Sequence, residues 1–160
     1  MQKVLTAEQM REVDRLTTER YGIPSILLME NAAHAVAQLV REKLGTESKV
    51  SILCGTGNNG GDGAAIARIL WSHGADVDVY LFGNVEDTKG DARTNFDALK
   101  SISERDPPFS PYLFLFENEP ISTTTKQVIL KSHVIIDAVF GTGLGRPLGK
   151  DIADLFSTIK

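Results

Sequence analysis

Four short apolar runs punctuate this chain: KVSILC (49–54), DVDVYLF (76–82), PYLFLFE (111–117) and HVIIDAVF (133–140). Stretches of helical pattern separate them, and this alternation constrains the fold more than any other feature. Strands joined by helix-length connections pair in parallel, since a hairpin needs only a few residues between its strands. The prediction is an α/β fold of three layers, a mostly parallel sheet with right-handed crossovers and helices on both faces. At 160 residues the chain makes one domain, long enough to bury a real core.

The runs differ in character. DVDVYLF alternates enough to predict a place near a sheet edge. PYLFLFE is the weakest, hemmed by Pro107, Pro108 and Pro111. HVIIDAVF is continuously apolar, which predicts burial on both faces. Between them, GAAIARILWSHG reads as a helix ending at Gly74, KGDARTNFDALKSI as a helix with Phe96 and Leu99 inward, and TTTKQVILKS as a short third.

Two further helices come first. One runs from Thr6 to about Arg20, with Thr6 as N-cap and Gln9 completing a capping box, and is broken by Gly22 and Pro24. The next starts at Ser25 and stops at Gly45, with an apolar stripe at Leu28, Ala32, Ala35, Val36 and Leu39. Glu30 and Asn31 interrupt its first turns, and either face solvent or reach into a polar site. At the other end, a helix-like DIADLFSTIK follows the last strand and the chain stops. A βαβ pattern ordinarily feeds another parallel strand there, so the sheet is expected to be truncated at its C-terminal side.

Lysine and arginine number 17 against 21 acidic residues, a net charge of −4 that argues against nucleic acid or an anionic membrane as partner. The opening MQKVLTAEQMREVDR turns charged too soon for a signal peptide, and no apolar run approaches a membrane span, so a cytoplasmic location is expected. The lone Cys54 excludes an internal disulfide and is expected to be a small buried hydrophobe. His34, His73 and His133 lie far apart, without metal-ligand spacing, and are expected at the surface or an edge.

CGTGNNGGDG (54–63) packs five glycines into ten residues between a strand and a helix. Gly55 to Gly60 match the G-x-G-x-x-G dinucleotide fingerprint, yet YLFGN offers no acid at the end of the second strand for ribose hydroxyls. A phosphate-loop reading fails too, because Gly61 and Asp62 stand where lysine and a hydroxyl belong. What the loop supplies is mixed chemistry. Backbone N–H groups suit an anion, Asn58 and Asn59 offer amide oxygens and donors, and Asp62 offers a carboxylate for proton work. The plainer reading of Asp62 is a charge at a helix N-terminus.

A second glycine loop follows HVIIDAVF. Asp137 sits among residues expected to be buried, so it wants a cation or several donors. Gly141, Gly143 and Gly145 free the backbone after it, and Arg146 suits phosphate. Neighbouring parallel strands open into one crevice at their carboxyl ends, where such sheets bind ligands. Together the loops describe a site for a phosphorylated, hydroxyl-rich ligand with an ion nearby.

Three stretches, GTGNNGGDGAAIAR (55–68), DAVFGTGLGRP (137–147) and GIPSILLMENAA (22–33), resemble in order the NAD(P)H-hydrate epimerase family, also called the YjeF N-terminal domain. The resemblance covers nearly the whole chain from Thr6, as one domain over 1–160. It implies a Rossmann-like fold, usually dimeric, and interconversion of the R and S epimers of hydrated NADH and NADPH. In many bacteria the domain precedes a fused dehydratase.

By the same resemblance Asn58, Asn59, Gly60, Gly61 and Asp62 contact the hydrated nucleotide, with Asp62 as candidate catalytic acid. Asn59 and Asp137 hold a potassium ion. Gly141, Thr142, Gly143, Leu144, Gly145, Arg146 and Pro147 wrap the phosphate-bearing part of the substrate. The departure is at the C-terminus, where the family continues into a DVPSG-like loop and this sequence stops at Lys160. Besides the epimerase, two readings stand: a non-catalytic binding module of the same fold, in RNA processing or protein binding, and a conventional dinucleotide dehydrogenase.

Overall fold

The structure, a computed structural model, describes residues 4–44, 48–105, 111–117, 120–141 and 149–159. Helices α1 (Ala7–Tyr21) and α2 (Ser25–Leu44) come first. Then follow β1 (Lys49–Cys54), α3 (Asn58–Ser72), β2 (Asp76–Leu81), α4 (Gly90–Arg105), β3 (Tyr112–Leu115), α5 (Thr123–Leu130), β4 (Val134–Ala138) and α6 (Lys150–Thr158), with a 3-10 turn at Val85–Asp87. The strands form one all-parallel sheet in the order β3-β2-β1-β4, as the alternation of strands and helices predicts. Thr6 caps α1 in a reciprocal capping box with Gln9, and Gly22 ends it at φ 70°. The expected stop of α2 at Gly45 lies outside the described residues.

Strand side chains alternate between two cores, as a period of two demands. Val50, Ile52, Cys54, Val77, Val79 and Leu81 pack against α2, α3 and α4, with Phe96 and Leu99 inward as expected. Leu53 and Tyr80 face the other side, where Ile129 of α5 and Leu155 of α6 close over them. Cys54 is fully buried. The three histidines are exposed.

Three expectations are corrected. β2 is not near an edge but between β3 and β1. Its alternation reflects buried polarity: Asp78 is only 4% exposed, with the Lys49 ammonium at 3.3 Å and the Tyr80 hydroxyl at 3.4 Å. β4, expected to be buried on both faces, is the outer strand among the described residues, and Val134, Ile135 and Ile136 are half-buried. On α2 the buried stripe is Met29, Ala33, Ala37 and Val40, turned one residue from the expected one. Leu39 is 55% exposed and Val36 38% exposed, because an apolar helix carries more than one periodic stripe and only packing selects among them.

α3 lies unusually close to its neighbours. Its buried face is built largely of Gly60, Gly61, Gly63, Ala64, Ala65 and Ala67. A Cβ on Gly63 would stand 2.6 Å from the Cys54 sulfur and 2.8 Å from the Ala138 Cβ.

Candidate active site

β1 and β4 are neighbours, with Cys54 opposite Ala138, so both glycine loops leave the sheet side by side at its carboxyl end. Their backbones touch. The Gly55 N–H donates to the Ala138 carbonyl at 3.1 Å, and a Cβ on Gly55 would collide with the Val139 carbonyl oxygen. Gly60 folds back so tightly that its Cβ would strike the Gly55 carbonyl. These glycines are required by backbone meeting backbone, which only a residue without a side chain permits.

Gly57 is the N-cap of α3, with φ −89° and ψ −171°, and provides no capping side chain. Among the described residues no side chain caps the first N–H groups of α3, the arrangement that binds anions at helix N-termini. Asn58 is exposed, Asn59 and Asp62 are half-buried, and Gly60 and Gly61 are buried. Burial alone pushes the Asp62 carboxyl up to about 6 from 3.8. A carboxyl in that range carries a proton through a substantial part of the weakly acidic to neutral region, as a general acid requires.

The second loop arrives beside the first. A Cβ on Gly141 would lie 3.5 Å from the Asn59 Cβ and 3.6 Å from its amide oxygen, so Asn59 and the start of GTGLGRP are neighbours. Thr142, Gly143, Leu144, Gly145, Arg146 and Pro147 lie outside the described residues. Asp137 is corrected: it is exposed, not buried. Its place at the end of an outer strand leaves it open, and its Oδ1 accepts the Val139 N–H at 3.0 Å, which turns the chain out of β4. Among the described residues its other oxygen accepts no hydrogen bond, which suits a cation or a hydroxyl.

A third loop, at the end of β2, lines up with these two. Gly83 has φ 133°, and a Cβ there would meet the Thr56 methyl at 2.6 Å. The following turn is closed by Asn84, whose N–H donates to the Asp87 carboxylate at 3.2 Å. Asp87 is thereby committed to its own loop.

Glu30 does reach a polar cluster, but one beneath the loop. Its Oε2 accepts from Arg68 Nη2 at 2.7 Å, and the same Nη2 donates to Asn95 Oδ1 at 2.6 Å. Asn31 is exposed. Asn95, 2% exposed, was not singled out in the sequence, although Ala92, Asn95, Phe96 and Leu99 share one helical stripe and an asparagine inside such a stripe is a signal in itself.

Among the described residues no helix is long and apolar enough to cross a membrane. Residues 25–160 match the family model described as YjeF-related protein N-terminus. The bifunctional NAD(P)H-hydrate repair enzyme Nnr of Moorella thermoacetica is 37% identical over 143 residues, 88% of this chain and 26% of its own length. The NAD(P)H-hydrate epimerase of Limosilactobacillus reuteri is 34% identical over 158 residues, 98% of this chain and 67% of its own. The chain thus spans about a quarter of the bifunctional relative and two thirds of the other. The crystal structure of yeast ynu0 superposes with a TM-score of 0.77 at 24% identity, covering 99% of this chain and 65% of that one, which shows the shared fold. By its motifs, its sheet and this match over most of its length, the chain belongs to the YjeF-related N-terminal family.

Proposed function

We propose that this chain interconverts the R and S epimers of hydrated NADH and NADPH, in keeping with relatives named NAD(P)H-hydrate epimerase and bifunctional NAD(P)H-hydrate repair enzyme. The observation that carries the reading is the junction of the two loops. There a helix N-terminus without a side-chain cap and the Asn59 amide beside Gly141 meet at the carboxyl ends of β1 and β4, and the half-buried Asp62 follows three residues on in the same helix.

The hydrate carries a hydroxyl on a ring carbon next to nitrogen. Asp62 holds a proton to give to that hydroxyl as it departs as water, and the ring nitrogen stabilises the cation left behind. Water then adds on the opposite face and releases a proton to solvent, from which the Asp62 carboxylate is reprotonated. The free N–H groups of α3 and the second loop hold phosphate meanwhile. No hydride moves.

Asn59 and Asp137 suit a potassium ion in their chemistry, an amide oxygen and a free carboxylate oxygen, both hard donors of the kind such cations take. When bound, the ion supplies positive charge beside the substrate's phosphates. A homodimer fits the outer face of α1 and α2, where α1 has no buried residue and Leu5, Met10, Val13, Leu27, Val36 and Leu39 are all exposed. A dehydratase, fused or separate, is the natural consumer of one epimer, in keeping with the bifunctional relatives. The single cysteine, free and buried, accords with a reducing cytoplasmic setting.

The test supplies pure R epimer to the full-length protein in potassium buffer and follows loss of the chiral signal. Conversion to a mixture of the two epimers supports the reading, and its dependence on potassium over sodium supports the ion. Binding of the hydrate without any interconversion would replace the enzyme with a binding module.

A further inference from the structure

We propose that Glu30, Arg68 and Asn95 are positioning residues: they fix where α3 sits against α2 and α4, and so where its first turn presents Asn59 and Asp62. The functional half of this inference rests on the epimerase reading above.

The need for such a device follows from the packing. α3 meets its neighbours through Gly60, Gly61, Gly63, Ala64, Ala65 and Ala67 in its first turns, with Ile66, Ile69 and Leu70 buried among and beyond them. Short side chains let helices approach closely but interdigitate little, so the turns that carry Asn59 and Asp62 specify their own register weakly. Arg68 is the directional group on this helix. One of its terminal nitrogens is held by two acceptors from two other helices, Glu30 Oε2 of α2 at 2.7 Å and Asn95 Oδ1 of α4 at 2.6 Å. A slide of α3 by one residue would break both bonds at once. Partly buried polar contacts of this kind are poor sources of net stability, and the best-attested use of such groups is to select one register.

The cluster connects to the site through contacts on the page. Asn95 donates from Nδ2 to the Met29 sulfur at 3.2 Å and to the Asp91 carbonyl at 3.2 Å. Met29 in turn closes on the glycine turn: a Cβ on Gly61 would stand 3.2 Å from the Met29 methyl and 2.8 Å from the Ala92 Cβ. Gly61 lies between Asn59 and Asp62. The Arg68 Nε is buried without a partner among the described residues, so the cluster is not built for maximal hydrogen bonding. Its geometry serves the two bonds that span helices.

The experiment compares the full-length protein with Arg68→Lys and with the apolar triple Glu30→Leu, Arg68→Met, Asn95→Leu. Each is read by thermal melting, by kcat and KM for epimerisation, and by hydrogen exchange at the amides of 61–64, the first that are hydrogen-bonded within α3. Positioning predicts that the triple variant melts close to the parent, yet loses tenfold or more in kcat/KM and exchanges faster at those amides. Arg68→Lys, which keeps the charge but not the planar guanidinium whose Nη2 reaches both acceptors, loses threefold or more and also exchanges faster. A stable triple variant with parental kinetics and exchange would overturn the proposal. If the triple variant does not fold, unchanged kinetics and exchange in Arg68→Lys overturn it equally. A parent without epimerase activity defeats the functional reading alone, and exchange at 61–64 then decides whether the cluster positions the turn.

Discussion

Gly60 lies so close against Gly55 that no side chain fits between its Cα and the Gly55 carbonyl oxygen. Gly60→Ala must therefore displace the turn, and it is expected to destabilise the chain by about 2–4 kcal/mol, the range of overpacked and strained sites. Calorimetry would show it as a drop in Tm, with epimerisation abolished. A Gly60→Ala protein as stable and active as the parent would contradict the described turn.

Gly57, three residues earlier, is the contrast. Nothing lies within 4 Å of a Cβ there, and its backbone suits any residue. Gly57→Ser adds a hydroxyl that caps α3, worth a few tenths to about 1 kcal/mol. The same hydroxyl occupies N–H groups that would otherwise hold phosphate. Tm is expected to rise slightly while KM for the hydrate rises severalfold, a split that separates capping from ligand binding.

Asp62 predicts a pH dependence of definite sign. Burial holds its carboxyl near 6, against 3.8 ordinarily, so between those values the folded chain keeps a proton that the unfolded chain has lost. Its contribution to stability is full below about pH 3.8 and falls as pH rises towards 6. Asp62→Asn removes that decline, and near pH 7 it is expected to be the more stable protein by on the order of 1 kcal/mol, allowing for the solvent the half-buried group still sees. Epimerisation should fall roughly 100-fold or more. In the parent, kcat/KM should decline above an apparent pKa near 6, and a profile flat from pH 5 to 8 would remove Asp62 as the acid.

Lys49 and Asp78 test the corrected place of β2. Lys49→Met leaves Asp78 buried in the sheet without its cation and is expected to cost about 1–3 kcal/mol in urea denaturation. Adding Asp78→Asn should recover part of the loss. A Lys49→Met protein with the parental midpoint would mean that Asp78 is satisfied by other groups.

The outer apolar face makes the fifth prediction. Val13→Glu with Leu39→Glu should convert a dimer to a monomer in sedimentation equilibrium while each copy stays folded, since both side chains are exposed in the single chain. A parent that sediments as a monomer would remove the dimer from the reading.

The sequence made the sheet, its parallel pairing and the first glycine turn legible, because those depend on local pattern: strand length, connection length and backbone close approach. It misplaced β2 because an alternating Asp reads the same whether it meets water or a buried lysine. It turned the α2 stripe by one residue because Val36 and Leu39 are as apolar as Met29 and Val40, and only contact with α3 separates them. Asp137 was read from its apolar neighbours in sequence, whereas its exposure is set by which strand lies beyond β4. The Arg68–Asn95 bond joins helices 27 residues apart, a relation that no single-window pattern contains.

The glycine and alanine face of α3 also governs how this chain can change. Most positions that drift in sequence can gain or lose a methyl group at modest cost. Gly60, Gly61 and Gly63 have no room for even one, because what they would strike is largely backbone or a sealed core. A saturation scan should therefore show α3 as a band of intolerance on its inner face, sharpest in its first two turns. Variation would be confined to the outward positions and to the far end at Trp71–His73. Selection would thus preserve this helix as a shape before preserving it as chemistry. A relative that had lost the reaction while keeping the fold would be expected to retain these three glycines long after Asn58 and Asp62 had changed.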